Sequence, residues 1–425
     1  MFRLPIVSTF LALVLCCPVF GKQIIDTNVA EAAAYDASSN AFEHIQLLTE
    51  VLMKVKGDYV EEKTYEEVIK GAIDGMLSKL DPYSGFLDES SYQSMQEDTK
   101  GKFGGIGIHI GKRRGLLTVI APIEDTPAYR AGVLGGDIIS EIDGEKTQGS
   151  SLKDAVNKLR GPKGDPVKIK VIRQGEEDPL EIELVRDDIN VPSVKGSKII
   201  RGGIGYVRVT QFSRPTAESL QQKLDELVEQ DMKALVLDLR SNPGGLLSAA
   251  VDVSSLFLEE DKPIVSTRGR KTKYDKKTKS FKGKHYLDFP MAVLVNEYSA
   301  SASEIVAGAL KDNKRAVTIG QTTFGKASVQ SIAPLSSNTN TAIRMTTAYY
   351  YTPSGALIHE KGIEPDIEVK VTPSQWQRIR TRRAHLENPE IYSAEEKKEH
   401  SEEVDIVLQR ALDLLEGVLF FEEED

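Results

Sequence analysis

Beyond position 17 the 425-residue chain has no cysteine, and the two it has, Cys16 and Cys17, stand side by side near the start. Disulfide scaffolding, thiol catalysis and Cys-ligated metal sites are excluded for everything downstream. An excess of basic charge is missing too. With 54 Lys and Arg against 64 Asp and Glu the formal charge is −10, which leaves no broad cationic face for nucleic acid. There is no internal repeat, no phosphate-binding loop and no zinc motif. Histidine numbers six, and none lies between His285 and His359. None of these residues marks a metal or nucleotide site, and none is called for.

The first 21 residues, MFRLPIVSTFLALVLCCPVFG, place Arg3 ahead of an apolar run from Leu4 to Cys17 and then small residues suited to cleavage. The run is short and a polar chain follows, so it reads as a secretory signal peptide and the protein as exported, to a bacterial periplasm or cell envelope. Its removal takes away one positive charge, leaving −11, and both cysteines. A lipid on Cys16 or Cys17 is the competing reading, disfavoured by the bulky Leu13–Val14–Leu15 ahead of them.

The remaining length, 40% hydrophobic and 28% charged, is enough for several small domains with real cores. Thr27 to Asn40 is Ala- and Ser-rich. Residues 22–98 are then mostly helical: Phe42, Ile45, Leu48, Leu52 and Val55 recur every three or four positions. A second helix, about Thr64 to Leu80, opens on a Thr64/Glu67 capping box and stops at Asp81–Pro82. Bracing or dimerisation is the expected role.

Residues 99–188 change texture to short strands and glycines. Gly104, Gly105 and Gly107 leave backbone N–H groups open at a sheet edge, which suits a peptide carboxylate. Ile106–Ile110 offers its edge to an added strand. Ala128–Gly132 and Ser151–Leu159 read as helices and Ile138–Ile142 as a strand. A glycine-rich β-domain without a ligand fits these residues equally.

Within residues 189–374, Gly205–Val209, the amphipathic Ala217–Gln230 and the apolar Ala234–Leu239 form a parallel β/α unit, continued by Met291–Val295 and RAVTIG. Arg240–Ser241–Asn242–Pro243–Gly244–Gly245 follows the carboxyl end of a parallel strand, where ligands sit in such sheets. Asp238, Arg240 and Glu304 are expected to hold loops by ion pairing. Arg268–Lys284, nine basic residues and one acid, reads as an exposed hairpin. Residues 375–425 are charged and helical, ending FFEEED, and are expected to cover the core or meet a second subunit.

Chemistry concentrates in Asn296–Gln330, NEYSASASEIVAGALKDNKRAVTIGQTTFGKASVQ. Ser299, Ser301 and Ser303 lie between a strand and a helix, where N–H groups and the positive dipole end stabilise an oxyanion. A serine needs a base, and no His is near. Lys326 can serve if a dry pocket lowers its pKa, and the Gln330 amide can orient it. On spacing alone, capping or loop serines and a solvated lysine are the favoured reading.

SASASEIVAGAL followed by TFGKASVQ resembles the carboxyl-terminal processing peptidases, or tail-specific proteases, which are Ser–Lys proteases with a PDZ domain. AIDGMLSKLDPYSGFLDESSY, the glycine-rich segment, RSNPGG and YYYTPSGALIHEKGIEPDIEV extend the resemblance over roughly residues 41 to 375. It implies a multidomain α/β protein: a crotonase- and Clp-like β/α protease core, an inserted PDZ domain, and helical N- and C-terminal regions. It implies Ser301 as nucleophile, Lys326 as general base and Gln330 as its orienter. The Gly244 and Ala302 N–H groups become the oxyanion hole, and Phe103, Gly104, Gly105, Ile106 and Gly107 the peptide-carboxylate loop. Arg160 is implied to couple tail binding to activation, and Asp312 matches an acidic position for which a structural role is expected. Substrates would be proteins with free C-termini, with room for an adaptor protein and a homo-oligomer. A PDZ scaffold that binds tails without cutting is the rival, and the intact Ser301, Lys326 and Gln330 speak against it.

Overall fold

The computed structural model describes residues 41–422, apart from 114, 124, 337, 388–391, 393 and 399–400. The signal-peptide, lipidation and leader readings lie outside the described residues, as does the end of the acidic tail. The chain divides into two units after Lys79. The first holds α1 (Ala41–Asp58) and α2 (Tyr65–Ser78). The capping box forms: Thr64 Oγ1 accepts the Glu67 N–H at 3.1 Å, and Glu67 Oε2 accepts the Thr64 N–H at 2.8 Å.

The second unit opens with β1 (Gly85–Leu87) and α3 (Glu89–Lys100). Asp88 caps α3 by accepting the Ser91 N–H. There follow β2 (Lys102–Gly105), β3 (Ile108–Arg113), β4 (Leu116–Pro122), α4 (Pro127–Arg130), β5 (Ile138–Ile142), β6 (Glu145–Lys146), α5 (Leu152–Leu159), β7 (Pro166–Ile172), β8 (Leu180–Val185) and β9 (Asp187–Asn190). Strands β3-β4-β5-β7-β8 form one antiparallel sheet in that order, with β6 on β5, around a core of Ile106, Val119, Ile139 and Val167. Strands β2 and β9 pair with each other outside it, so this body enters and leaves the chain through one two-stranded ribbon.

The rest runs β10 (Val194–Ile199), β11 (Ile204–Val209), α6 (Thr216–Glu229), β12 (Ala234–Asp238), α7 (Leu247–Leu256), β13 (Pro263–Gly269), β14 (Lys276–Lys279), β15 (Met291–Val295) and α8 (Ala302–Asp312). It continues with β16 (Val317–Gly320), β17 (Ser328–Leu335), β18 (Asn338–Tyr351), β19 (Ile367–Glu368), α9 (Pro373–Glu387), α10 (Ala394–Lys398) and α11 (Ile406–Glu422). The central sheet has the order β10-β11-β12-β15-β16-β19, parallel except for the antiparallel edge strand β10. Every residue of β12 and β15 is buried, because both faces are covered. Leu235, Leu237 and Val293 face Leu220, Val253 and Val306. Val236 and Leu294 face Trp376, Ile379, Ala411 and Leu415, from α9 and α11.

A second sheet, β1-β18-β13-β14 with β17 on β18, carries the basic hairpin as β13 and β14. Gly85, Phe86 and Leu87 of β1 pair with Arg344, Ile343 and Ala342. The helical stretch read from the sequence over residues 22–98 holds for α3 but not for β1. A three-residue strand has too few positions to show a period of two.

Leu415 is 2% exposed on the sheet face that α11 covers. Leu415→Ala should therefore lower unfolding free energy by about 2–5 kcal/mol, read from the denaturant midpoint. A loss below about 1 kcal/mol would mean that α11 does not seal that face.

Candidate active site

Ser301 stands immediately before α8, at φ 56° and ψ −113°. A non-glycine residue in such backbone costs on the order of 1–3 kcal/mol and persists only when its surroundings impose it. The flanking serines supply part of that constraint. Ser299 Oγ donates to the Leu239 carbonyl at 2.9 Å and accepts the Asn296 N–H at 3.0 Å. Ser303 Oγ donates to the Asn242 carbonyl at 2.9 Å. Both are fully buried. Of the three, Ser301 alone opens into a cavity of about 390 Å³, shared with Lys326, Gln330, Gly244 and, from α3, Met95 and Thr99.

Glu304, three residues on, is 0% exposed. Its carboxylate accepts the Ser301 N–H at 2.8 Å, the Thr323 hydroxyl at 2.6 Å, the Gly325 N–H at 2.7 Å and the Lys326 N–H at 2.9 Å. The Tyr350 hydroxyl lies 3.4 Å away and donates to the carbonyls of Ser301 and Lys326. The loop-holding ion pair expected of Glu304 is not what forms: all these donors are neutral. The Ser-x-x-Glu spacing of a capping box was the signal available in the sequence.

Lys326 is half-buried. Burial lowers its pKa, the Arg344 charge lowers it further, and Asp81 and Glu304 oppose the shift. Its Nζ lies 4.5 Å from the centre of the Tyr83 ring and makes no hydrogen bond or ion pair among the described residues. Asp81 Oδ1 takes the Tyr83 N–H at 2.7 Å, and Arg344 Nε donates to the Tyr83 carbonyl at 2.8 Å. Bracing or dimerisation is the role expected from the sequence here, and a contact with Lys326 is not part of it. Gln330 Nε2 donates to Thr346 Oγ1 at 2.8 Å, while its Oε1 is buried without a partner.

The Arg240–Gly245 loop closes against Ser301. A Cβ on Gly244 would lie 2.8 Å from Ser301 Cβ, so only glycine fits there. The Gly244 N–H, however, donates to Asn242 Oδ1 at 2.9 Å instead of facing the cavity. Ala302 is the first helical residue, so its N–H has no intrahelical acceptor. Behind the loop, Asp238 accepts from Arg240 Nε at 3.0 Å and from its Nη2 at 2.7 Å, while Arg240 grips Asp405 at 2.7 and 2.8 Å. Burial alone would raise the Asp238 pKa; the Arg240 charge and hydrogen bonds hold it well below the usual carboxylate range. Loop-holding ion pairs were expected here, but Asp405, 165 residues away in sequence, carries no local mark. Asp312 accepts the Ser354 N–H at 2.9 Å, away from Ser301.

A larger cavity, about 810 Å³, lies along β3 and α5 and reaches the central sheet. Phe103, Gly104 and Gly105 stand opposite Ile189, Asp188 and Asp187 in the ribbon, and the Gly104 carbonyl accepts the Gly161 N–H at 3.1 Å on its other side. Ile106 and Gly107 form the turn, and the edge strand starts at Ile108 rather than Ile106. Gly107 has φ 77°, and a Cβ there would meet Thr126 at 2.3 Å.

Residues 203–369 match the model of peptidase family S41, residues 118–173 that of a PDZ domain, and residues 20–91 that of the activating protease CtpB N-terminal domain. The carboxy-terminal-processing protease of Bartonella bacilliformis is 43% identical over 346 residues, covering 80% of this chain and 79% of that one. The carboxy-terminal processing protease CtpB of Bacillus subtilis is 34% identical over 357 residues, covering 82% and 74%. A putative S41 protease from Bacteroides fragilis shares the fold at a TM-score of 0.50 and 15% identity, over 85% of this chain and 92% of that one.

Glu304→Gln replaces an acceptor-only group by an amide that must turn one N–H toward donors. Each charge-assisted bond contributes about 1.5–3 kcal/mol, so the variant should melt lower and lose at least about tenfold in peptidase activity. Wild-type melting and activity together would show that the carboxylate does not set the site.

Proposed function

Because the chain belongs to peptidase family S41, together with the carboxy-terminal processing proteases, we propose that it is an exported Ser–Lys endopeptidase that selects substrates by their free C-termini. The observation that carries this reading is the half-buried, unpaired Lys326 amine in the cavity into which Ser301 opens. The neutral amine takes the Ser301 proton as Oγ attacks the scissile carbonyl, then gives it to the leaving amine. Water hydrolyses the acyl-enzyme by the same exchange. Gln330 Oε1, buried and without a partner, is the acceptor that orients the lysine.

Two rearrangements precede attack. Lys326 must leave the Tyr83 ring for Ser301, and the Gly244 N–H must leave Asn242 to join the Ala302 N–H at the oxyanion. Tail binding is the natural trigger. The Arg160 guanidinium lies 4.3 Å above the Phe103 ring and 3.7 Å from Glu97 of α3, the helix that lends Met95 and Thr99 to the catalytic cavity. The exposed Phe42, Ile45 and Leu48 on α1 support a homo-oligomer. Among the described residues no helix is long and apolar enough to cross a membrane.

Ser301→Ala should abolish cleavage of an unstructured, apolar-tailed peptide. Lys326→Arg should abolish it too, because guanidinium does not deprotonate. Wild-type activity should rise with pH through a lysine pKa below the ordinary 10.5, since only the neutral amine accepts a proton. An active Lys326→Arg enzyme at neutral pH would refute the base.

Amidating the substrate's C-terminus leaves the scissile bond untouched but removes the charge that the Ile106–Gly107 turn would hold. One charge-assisted bond lost corresponds to roughly tenfold or more in affinity. Equal cleavage of the free acid and the amide would show that the tail is not read.

A further inference from the structure

The tail groove has a second wall that no PDZ domain supplies. On one side stand the edge strand β3 and helix α5; on the other stand the antiparallel edge strand β10 of the central sheet and the end of α9. Strand β10 is bulged at Gly196–Ser197: Lys195 pairs with Arg208 but Lys198 pairs with Tyr206. In a regular strand, residues three apart point to opposite faces. The extra residue puts Lys195 and Lys198 on one face, because Arg208 and Tyr206, two apart on β11, share a face. Both lysines are exposed, both line the groove, and neither has an ion-pair partner among the described residues.

The other charges in the groove are accounted for. Glu387 is the only acid among the described lining residues, and Arg208 donates to it at 3.1 Å. Arg160 faces Glu97. The His109 pKa is lowered by partial burial and then by the Lys195 charge, both of which disfavour the charged imidazole. Two lysines are left uncompensated in a groove of a chain whose formal charge is −10. A site of that sign on an acidic protein selects against most of the chain's own surface and steers acidic ligands.

We propose that Lys195 and Lys198 form a subsite for an acidic side chain on the substrate tail, so that the preferred tails end in an apolar residue preceded by Asp or Glu. The proposal rests on the reading that tails bind this groove. A peptide added to β3 alternates its side chains. Its last residue faces the apolar floor of Ile108, Val156 and Leu159. Residues one and three positions earlier then face the β10 wall. The carboxylate requirement is the turn's doing, and the acidic preference is the central sheet's.

The test measures binding to full-length Ser301→Ala protein by fluorescence anisotropy. The peptides share an apolar last residue and carry Asp, Asn or Lys at the penultimate and fourth-from-last positions. Two solvent-exposed ion pairs give about a three- to tenfold preference for Asp over Asn at low salt, fading at high salt. Lys195→Ala/Lys198→Ala should bring that ratio to about one, and Lys195→Glu/Lys198→Glu should reverse it toward Lys. An Asp/Asn ratio near one in the parent protein overturns the proposal, as does a ratio that survives the double alanine variant. Failure of the tail reading itself looks different: the Asn peptide as free acid and as amide would bind alike.

Discussion

A single buried carboxylate holds the segments of Ser301 and Lys326 together. Glu304 accepts from the backbone on either side of the cavity: from Ser301 at the head of α8, and from Gly325 and Lys326 in the loop that leads into β17. Tyr350 bonds the carbonyls of the same two residues, and the Phe324 N–H donates to the Ser299 carbonyl at 3.0 Å beside them. N–H groups go to the glutamate and C=O groups to the tyrosine. An unpaired backbone group at this depth would cost about 1–3 kcal/mol, so the two side chains fix the spacing of Ser301 and Lys326 through the main chain. The unusual backbone of Ser301 is tolerable only inside that frame.

The same economy operates behind the glycine loop. Asp238 and Arg240 are consecutive charged positions of one strand end, and by themselves they would be a buried pair with vacant donors. Asp405 satisfies those donors, Tyr206 and Arg383 satisfy the aspartate, and Trp376 lies 5.1 Å from the guanidinium. The C-terminal helices are therefore more than a cover for an apolar sheet face, since they complete the hydrogen bonding of the loop that touches Ser301.

Much of this was legible in order along the chain. Continuous apolar runs at Ala234–Leu239 and Met291–Val295 meant strands buried on both faces, and the glycines after Arg240 meant close backbone approach. The serine–alanine alternation placed Ser301 at a helix start, though not the burial that distinguishes it from Ser299 and Ser303. What failed to show depends on distant partners. The strand 85–87 exists because β18 passes beside it. Tyr83 meets Lys326 across 243 positions, and Asp405 meets Arg240 across 165. Glycine content at 104 and 105 suggested open N–H groups, but composition cannot tell a free edge from one paired with residues 187 and 188.

The two-stranded ribbon that carries the inserted body has a geometric corollary. Gly101, left-handed at φ 71°, ends α3, and its carbonyl accepts the Val191 N–H at 2.9 Å, so the chain leaves and rejoins the core at neighbouring points. Excising everything between would leave a gap that a two-residue turn can span. The PDZ domain is thus a cassette, held by strands β2 and β9, and the peptidase core is an uninterrupted body without it. The two bodies are separable by exchange of one contiguous block of sequence, with the lysine-bearing edge of β10 staying behind as a fixed counter-surface for whatever block is installed.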